Sequence, residues 1–323
     1  MSPARAGDER SFGGAQPLRG TLRLPGDKSI SHRALMLAAL APGLSELTNL
    51  ATGDDVHATR LALEHLGVGI RTRLGAVRVR SSGRASLREP DVVLDCGNSG
   101  TTARIITGIL ASCPFHSVLT GDASLRARPM LRVVEPLRRM GASIDGRDGG
   151  DHAPLAIRGG ALHGARHELP VAWAQVKSAL LLAGLAGSGA TEVVSPAPSR
   201  DHTERMLGAL GVPVERTAAA VSVRAGEPVP FSLDVPGDPS SAAFFVVAAT
   251  ITPGSEIVLA DVSVNPTRTG FVDVLRRMGA DIEIVESATR CGEPVGNIVV
   301  RSAALHGTVV EGDEIPNVQD EIP

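Results

Sequence analysis

The sequence predicts an α/β protein built from repeated units in two halves, the second half incomplete. The first observation behind this is a repeat of about 70 residues. A helix-like segment ends in an apolar residue plus Gly and runs into β-prone residues four times: Leu66-Gly67-Val68, Met140-Gly141-Ala142, Leu210-Gly211-Val212 and Met278-Gly279-Ala280. Gly at that point suits a left-handed helix C-cap, and the β-prone residues after it suit a strand. The second observation is a matching series of small or polar residues that open apolar helices. These are Gly26-Asp27-Lys28-Ser29, Gly97-Asn98-Ser99-Gly100-Thr101, Ala174-Gln175 and Gly237-Asp238-Pro239-Ser240-Ser241. The first and fourth are related, LPGDKSISHRALMLAAL from Leu24 and VPGDPSSAAFFVVAATI from Val235, as one element used in two halves. A fifth opening, Asp320-Glu321-Ile322-Pro323, stands where the next unit would begin, so a half of three units is unfinished.

In chain order, residues 1–17 have no apolar core segment and include Asp8 and Glu9, which argues against a secretory or transit peptide and for a flexible tail. A strand is expected around Leu18 to Leu24, and residues 25–231 form an N-terminal lobe of three units. The Pro-rich stretch Pro228 to Pro236 marks the lobe boundary. Residues 18–24 together with 232–323 then make a crossing strand and an incomplete C-terminal lobe.

Composition narrows the function. With 323 residues, 43% hydrophobic, the chain can bury a core in each half. A formal charge of -3 and 2% aromatic residues disfavour nucleic acid as a partner. The apolar runs Ser178 to Gly187 and Ala242 to Ile251 fall short of the roughly 20 residues needed to cross a bilayer, so a soluble protein is expected. Cys96, Cys113 and Cys291 are too few and scattered for a disulfide framework or a zinc site, which suits reduced thiols in the cytoplasm.

Hydroxyl-rich and Gly-rich helix openings leave N–H groups free to hold anions, although each could equally be an ordinary N-cap. Of 32 Lys plus Arg residues only Lys28 and Lys177 are lysine, which reflects either chance or the need for a compact ammonium at Lys28. Lys28, Ser29 and Arg33 cluster at one helix start, where all three could reach one phosphate or simply form a solvated face. In Leu119 to Met130, Arg128 is either a bidentate carboxylate clamp or an exposed turn residue. The run Ser199 to Met206 reads as a capping box first, with His202 a satisfied surface histidine. No metal-ligand spacing emerges.

The strings LPGDKSISHRAL, DCGNSGTTARIITG, LTGDASLRARPM, AQVKSALLLAGL, SRDHTERML, VPGDPSSAAFF and NPTRTGFVDVLRRMGADI together resemble the 5-enolpyruvylshikimate-3-phosphate synthase family, from Leu24 to the end of the chain. The resemblance implies the two-lobed enolpyruvyl transferase fold of βαβαββ-type units. It also implies attack of the 5-hydroxyl of shikimate 3-phosphate on phosphoenolpyruvate with loss of phosphate, a monomer in the cytoplasm, and no metal or organic cofactor. By position, Lys28 touches both substrates, Ser29 and Arg33 contact shikimate 3-phosphate, and Asn98 and Gly100 face phosphoenolpyruvate. Arg128 clamps phosphoenolpyruvate, Gln175 lies between the ligands, Arg200 is a further contact and Asp320 is the acid/base carboxylate. Gly100 is the small-residue form of its loop and leaves room for glyphosate.

Two departures stand out. The family has a phosphate-binding Ser where this chain has Trp173, its only tryptophan, and overpacking there costs about 1 to 3 kcal/mol. The chain also has no counterpart to the family's later Lys, Glu and Arg contacts, from which a chain with little or no activity is expected. The alternatives are a non-catalytic phosphate-ligand binding remnant, and UDP-N-acetylglucosamine 1-carboxyvinyltransferase. The latter carries a reactive Cys where this chain has Ala123.

Overall fold

The computed structural model describes residues 16–318 and 320–322, so the tail expected at 1–17 lies, save its last two residues, outside the described residues. The chain runs β1 (Arg19–Arg23), α1 (Lys28–Leu40), β2 (Pro42–Thr48), α2 (Asp54–His65), β3 (Gly69–Arg73) and β4 (Ala76–Ser82). The second unit is β5 (Leu94–Asp95), α3 (Gly100–Leu110), β6 (His116–Thr120), the short α4 (Ala123–Arg126), α5 (Leu131–Arg139), β7 (Ser143–Gly146), the one-turn α6 (Arg147–Gly150) and β8 (His152–Arg158). The third is β9 (Arg166–Glu168), α7 (Ala174–Gly184), β10 (Thr191–Val194), α8 (His202–Ala209), β11 (Val214–Arg216) and β12 (Ala220–Val223). The fourth is β13 (Ser232–Asp234), α9 (Pro239–Ile251), β14 (Glu256–Ser263), α10 (Gly270–Arg277), β15 (Asp281–Arg290) and β16 (Glu293–Arg301), with a short α11 (Ile315–Val318) beyond it.

These strands form four sheets of one design, ordered β13-β2-β4-β3, β5-β6-β8-β7, β9-β10-β12-β11 and β1-β14-β16-β15. In each, the first strand is parallel to the second and the remaining pairings are antiparallel. Two edge strands are exchanged. β1 precedes α1 yet pairs with β14, Arg19 opposite Glu256 through Arg23 opposite Ala260. β13 precedes α9 yet pairs with β2, Ser232 opposite Glu46 through Asp234 opposite Thr48. The chain therefore changes sides twice, and the two crossings touch at a Gly26–Gly237 bridge. Gly26 is required there, because a Cβ would lie 1.8 Å from the Asn49 carbonyl oxygen.

The repeated Gly does what the repeat predicts. Gly67, Gly141, Gly211 and Gly279 all have positive φ, at 89, 107, 83 and 96 degrees. After each, the next N–H reaches back to the helix: Val68 to Leu63 O at 3.1 Å, Ala142 to Leu137 O at 3.1 Å, Val212 to Leu207 O and Ala280 to Leu275 O, both at 3.0 Å. This is the Schellman closure, which satisfies carbonyls that the helix end leaves free.

Apolar burial separates into two clusters. The larger runs from Ile30 to Val235 and gathers α1, α3 and α7 inside their sheets. The smaller joins Leu24 to residues between Ala242 and Val300. α1 and α3 bury residues all round rather than on one stripe, including Leu35, Leu37, Ile105 and Ile109, each contributing about 1.5 to 3 kcal/mol. α3 and α7 meet at Gly108, where a Cβ would stand 2.1 Å from the Ala179 carbonyl oxygen. Among the described residues no helix is long and apolar enough to cross a membrane. All three cysteines are free thiols, and burial pushes their pKa up, to about 12 for Cys96 and Cys291 and about 11 for Cys113.

Candidate functional site

The double crossing sets the N-termini of α1 and α9 side by side. Asp27 accepts the Ile30 N–H at 2.8 Å and so caps α1, while its other oxygen accepts from Arg268 Nη1 at 2.9 Å. Asp238 caps α9 by accepting the Ser240 N–H at 2.8 Å and also accepts the Lys28 N–H at 3.0 Å. Burial acts most strongly on Asp27 and raises its pKa, but the charges of Arg268 and His202 and the Ile30 N–H outweigh it and hold the carboxyl below its usual range. Asp238 moves the other way, raised by burial and then by the charge of Asp27.

The expected cluster of Lys28, Ser29 and Arg33 is divided. Lys28 Nζ pairs with Asp55 at the start of α2 and lines a hollow with Gly53, Asp238 and Ser241. Arg33 turns inward at 3% exposure, donating from Nε to Thr203 Oγ1 at 2.7 Å, from Nη2 to Ser178 Oγ at 2.8 Å and from Nη1 to the Ser29 carbonyl at 2.9 Å. The cause is helix geometry: five residues at about 100° each put Lys28 and Arg33 some 140° apart. Arg33 thus fastens α1 to α7 and α8. His32 beside it donates or accepts at Thr59 Oγ1 over 2.7 Å, and burial, with the charges of Arg33 and Lys28, pushes its pKa down to about 3.

A second group forms where α3 and α7 begin. Ser99 caps α3 by accepting the Thr102 N–H at 3.1 Å, leaving Gly100 in the first turn and Arg104 one turn on, over the same face. Arg104 is 8% exposed and donates from Nη1 to Gln175 Oε1 at 2.9 Å. Gln175 in turn donates to Thr101 Oγ1 at 2.9 Å. Arg128 donates to the Asn98 side-chain and main-chain oxygens, and Asn98 Nδ2 donates to Asp122 at 2.7 Å. Arg132, four residues on, lies 4.8 Å above the Trp173 ring. Burial first, then the charges of Arg132 and Arg128, lower the Arg104 pKa to about 10. Among the described residues none of these three guanidiniums is paired with a carboxylate. The hydrogen bonds of Arg104 and Arg128 run to neutral oxygens of Gln175, Pro129, Asn98 and Ser124. An unneutralised, partly buried cation group is costly unless an anion completes it.

The hollow beside it has a volume of about 250 Å³ and is walled by Arg104, Arg132, Trp173, Gln175, Arg200 and Asp320. Trp173 occupies the N-cap of α7 and makes no capping hydrogen bond, so the first N–H groups of that helix lack a side-chain acceptor. Arg200 is ion-paired with Asp320. For Asp320 burial is the largest influence and raises the pKa, but the hydrogen bond and charge of Arg200, with the charges of Arg268 and Lys28, hold it below the usual carboxylate range. It is an ionised acceptor at neutral pH.

One hollow therefore gathers Gln175, Arg200 and Asp320, with Asn98, Gly100 and Arg128 joined to it through Arg104. Lys28 and Ser29 stand at the adjacent helix start, and Arg33 does not line the hollow. Sequence reasoning passed over Arg104 and Arg132. Arg104 carried a signal, a single charge inside the apolar run of α3, whereas Arg132 carried none. Two further expectations are corrected. Asp201 holds the N-cap position of α8 without a capping bond, since Arg205 and Asn265 donate to its side chain. His202 is no surface residue: it is fully buried and meets Glu293 Oε1 at 2.9 Å, a partner 91 positions away. Among the described residues no group of His, Cys, Asp and Glu could hold a metal ion.

Comparison with known proteins shows the family to which this fold belongs. The family model described as EPSP synthase (3-phosphoshikimate 1-carboxyvinyltransferase) matches residues 13–323. The 3-phosphoshikimate 1-carboxyvinyltransferase of Anaeromyxobacter sp. (strain K) is 53% identical over 309 residues, covering 96% of this chain and 70% of that protein. Its namesake from Herpetosiphon aurantiacus is 52% identical over 313 residues, 96% of this chain and 73% of that protein. A solved EPSP synthase structure from Acinetobacter baumannii superposes with a TM-score of 0.89 at 43% identity, over 95% of this chain and 71% of that one. These names support the shikimate reading over the amino-sugar and binding-remnant alternatives.

Proposed function

The chain belongs to the EPSP synthase (3-phosphoshikimate 1-carboxyvinyltransferase) family, and from that membership we propose how its own residues divide the work. The reaction is transfer of the enolpyruvyl group of phosphoenolpyruvate to the 5-hydroxyl of shikimate 3-phosphate. The hydroxyl oxygen bonds C2 of phosphoenolpyruvate as its proton leaves and C3 gains one. C3 then gives up a proton as the C2–O bond to phosphate breaks. Both substrates are polyanions, so the site must supply positive charge at two places and one group that accepts a proton.

In this proposal Arg128 and Arg104, flanking Gly100 and Asn98, hold phosphoenolpyruvate, and Gln175 stands between the two substrates. Lys28 and Ser29, at the start of α1, reach the cleft when it closes and touch both ligands. Arg33 acts from behind, keeping α1 against α7 and α8. Arg200 and Asp320 meet the shikimate side, where Asp320, ionised at neutral pH, accepts the hydroxyl proton. One lobe comprises residues 25–235 and the other residues 18–24 with 236–323. Extending the first lobe a few residues beyond 231 is supported by the hydrogen bonds of β13 to β2 and by Leu233 and Val235 in the larger core. The enzyme works in the cytoplasm as a monomer.

The observation that carries this reading is the set of three guanidiniums at the mouths of α3 and α7 that have no carboxylate partner among the described residues. Calorimetric titration with shikimate 3-phosphate, then with phosphoenolpyruvate, tests it together with phosphate release. Binding of the first ligand should strengthen binding of the second, and Arg104→Gln should weaken it at least tenfold, as loss of a charge-assisted bond implies. Absence of heat with both ligands would sink the proposal.

A further inference from the structure

Trp173 is the chain's only tryptophan, and its indole sits at the mouth of α7 without capping the helix. It is not an ordinary core residue. It lines the hollow that holds Gln175, Arg200 and Asp320, and it carries the Arg132 guanidinium 4.8 Å above its ring. Among the described residues Arg132 has no carboxylate partner, and its charge depresses the pKa of Arg104 nearby. A long, unpaired arginine at a helix start would ordinarily sample solvent, whereas a guanidinium over an indole face is held in one orientation. No side chain of the N-cap residue accepts the first N–H groups of α7, which remain available to an anion.

We infer that Trp173 and Arg132 act as one anion-holding unit for the phosphate of shikimate 3-phosphate, which makes Trp173 a specificity-determining residue of the first substrate's pocket. The inference rests on the proposed function. The ring positions and the guanidinium binds, so the bulk at Trp173 supports the phosphate site instead of obstructing it. Trp173 lines the hollow together with its neighbours Ala172 and Ala174, where it would meet the carbocyclic ring of the substrate.

The test uses the full chain and four variants: Trp173→Phe, which keeps an aromatic face, Trp173→Leu, which keeps bulk alone, Arg132→Gln, and the Leu/Gln double variant. Binding of shikimate 3-phosphate is read by calorimetry, and in the wild type also by emission of the single tryptophan. Arg132→Gln and Trp173→Leu should each weaken binding about three- to thirtyfold, as loss of a cation–π contact implies. The double variant should be no weaker than the worse single one, and Trp173→Phe should stay near wild type. Unchanged thermal midpoints would separate this from a folding defect. Equal or tighter binding by Trp173→Leu, or losses that add in the double variant, overturns the inference while leaving the functional reading intact. Absence of binding by the wild type fails the functional reading itself, and the inference with it.

Discussion

Gly100→Ala probes the cation group directly. The new Cβ would lie 2.6 Å from Arg104 Nη1 and 3.3 Å from Arg128 Nη1. Ordinary contact needs about 3.5 Å, so the Arg104 end must withdraw by close to 1 Å. That atom now donates to Gln175 Oε1 at 2.9 Å, and such a retreat takes the pair beyond hydrogen-bonding range. Both clashing atoms are ends of flexible side chains, and Ala is the better helix former in the first turn of α3, so the fold should lose less than about 1 kcal/mol. The site should lose more: a hydrogen bond to a charged group contributes about 1.5 to 3 kcal/mol, which is roughly ten- to 150-fold in affinity for the bound anion. The expected result is binding of phosphoenolpyruvate, with shikimate 3-phosphate present, at least tenfold weaker by calorimetry, with the thermal midpoint nearly unmoved. Glyphosate should compete with phosphoenolpyruvate for binding to the wild type, and the Ala variant should bind it more weakly. Unchanged affinity for phosphoenolpyruvate in the Ala variant, or no competition by glyphosate in the wild type, would refute the placement of Gly100 at the anion site.

The packing sets three further outcomes. His32, with its folded pKa near 3 against 6.5 in a free chain, contributes stability that is fully present above pH 6.5 and is lost as pH falls toward 3, because only the unfolded state takes the proton. Denaturant unfolding at pH 7 and 4.5 should therefore show an acid loss smaller by about 2 to 3 kcal/mol in His32→Gln than in the wild type. Arg268→Ala strands the fully buried Asp27 carboxylate and should cost about 3 to 5 kcal/mol in the same assay. Gly108→Ala drives a methyl into the Ala179 carbonyl and should cost about 3 kcal/mol or more, whereas Gly208→Ala, on an open face of α8, should stabilise by up to about 1 kcal/mol, both read from the thermal midpoint.

The features legible in the sequence are local ones. A Gly after a helix reports its own left-handed cap, and four such caps reveal four units without any knowledge of their contacts. The helix openings likewise name Asn98, Gly100 and Gln175, because capping chemistry and anion binding use the same few residues. Long-range pairing leaves no comparable trace. β5, β9 and β13 are two or three residues long, too short for an alternating pattern, so the edge exchange shows in the sequence only as the likeness of two motifs. Arg33 reads as a neighbour of Lys28 along the chain, but the helix turns it toward Thr203 and Ser178, residues of a later unit. His202 reads as a surface residue because its partner Glu293 lies far off in sequence.

The likeness of α1 and α9 shows the limit of motif reading most clearly. Both are 13-residue helices opened by the same Gly-Asp cap, and α9 is the more uniformly apolar. α1 nevertheless buries 11 residues and α9 only five, with Phe244 80% exposed and Ile251 61% exposed. The difference lies in the neighbours. α1 packs on α2, α3 and α8 as well as on its own sheet, while α9 packs mainly on β14 and β16. A βαβαββ unit covers one side of its first helix with its own strands, and only other units can cover the rest. Local sequence thus determines that the helix forms and how it begins, and the number of units around it determines how much of its apolar surface leaves water. The same logic governs the proposed site: a polar or small-residue helix opening recurs in each unit, and in the proposal it holds an anion only where a second unit brings arginines to it.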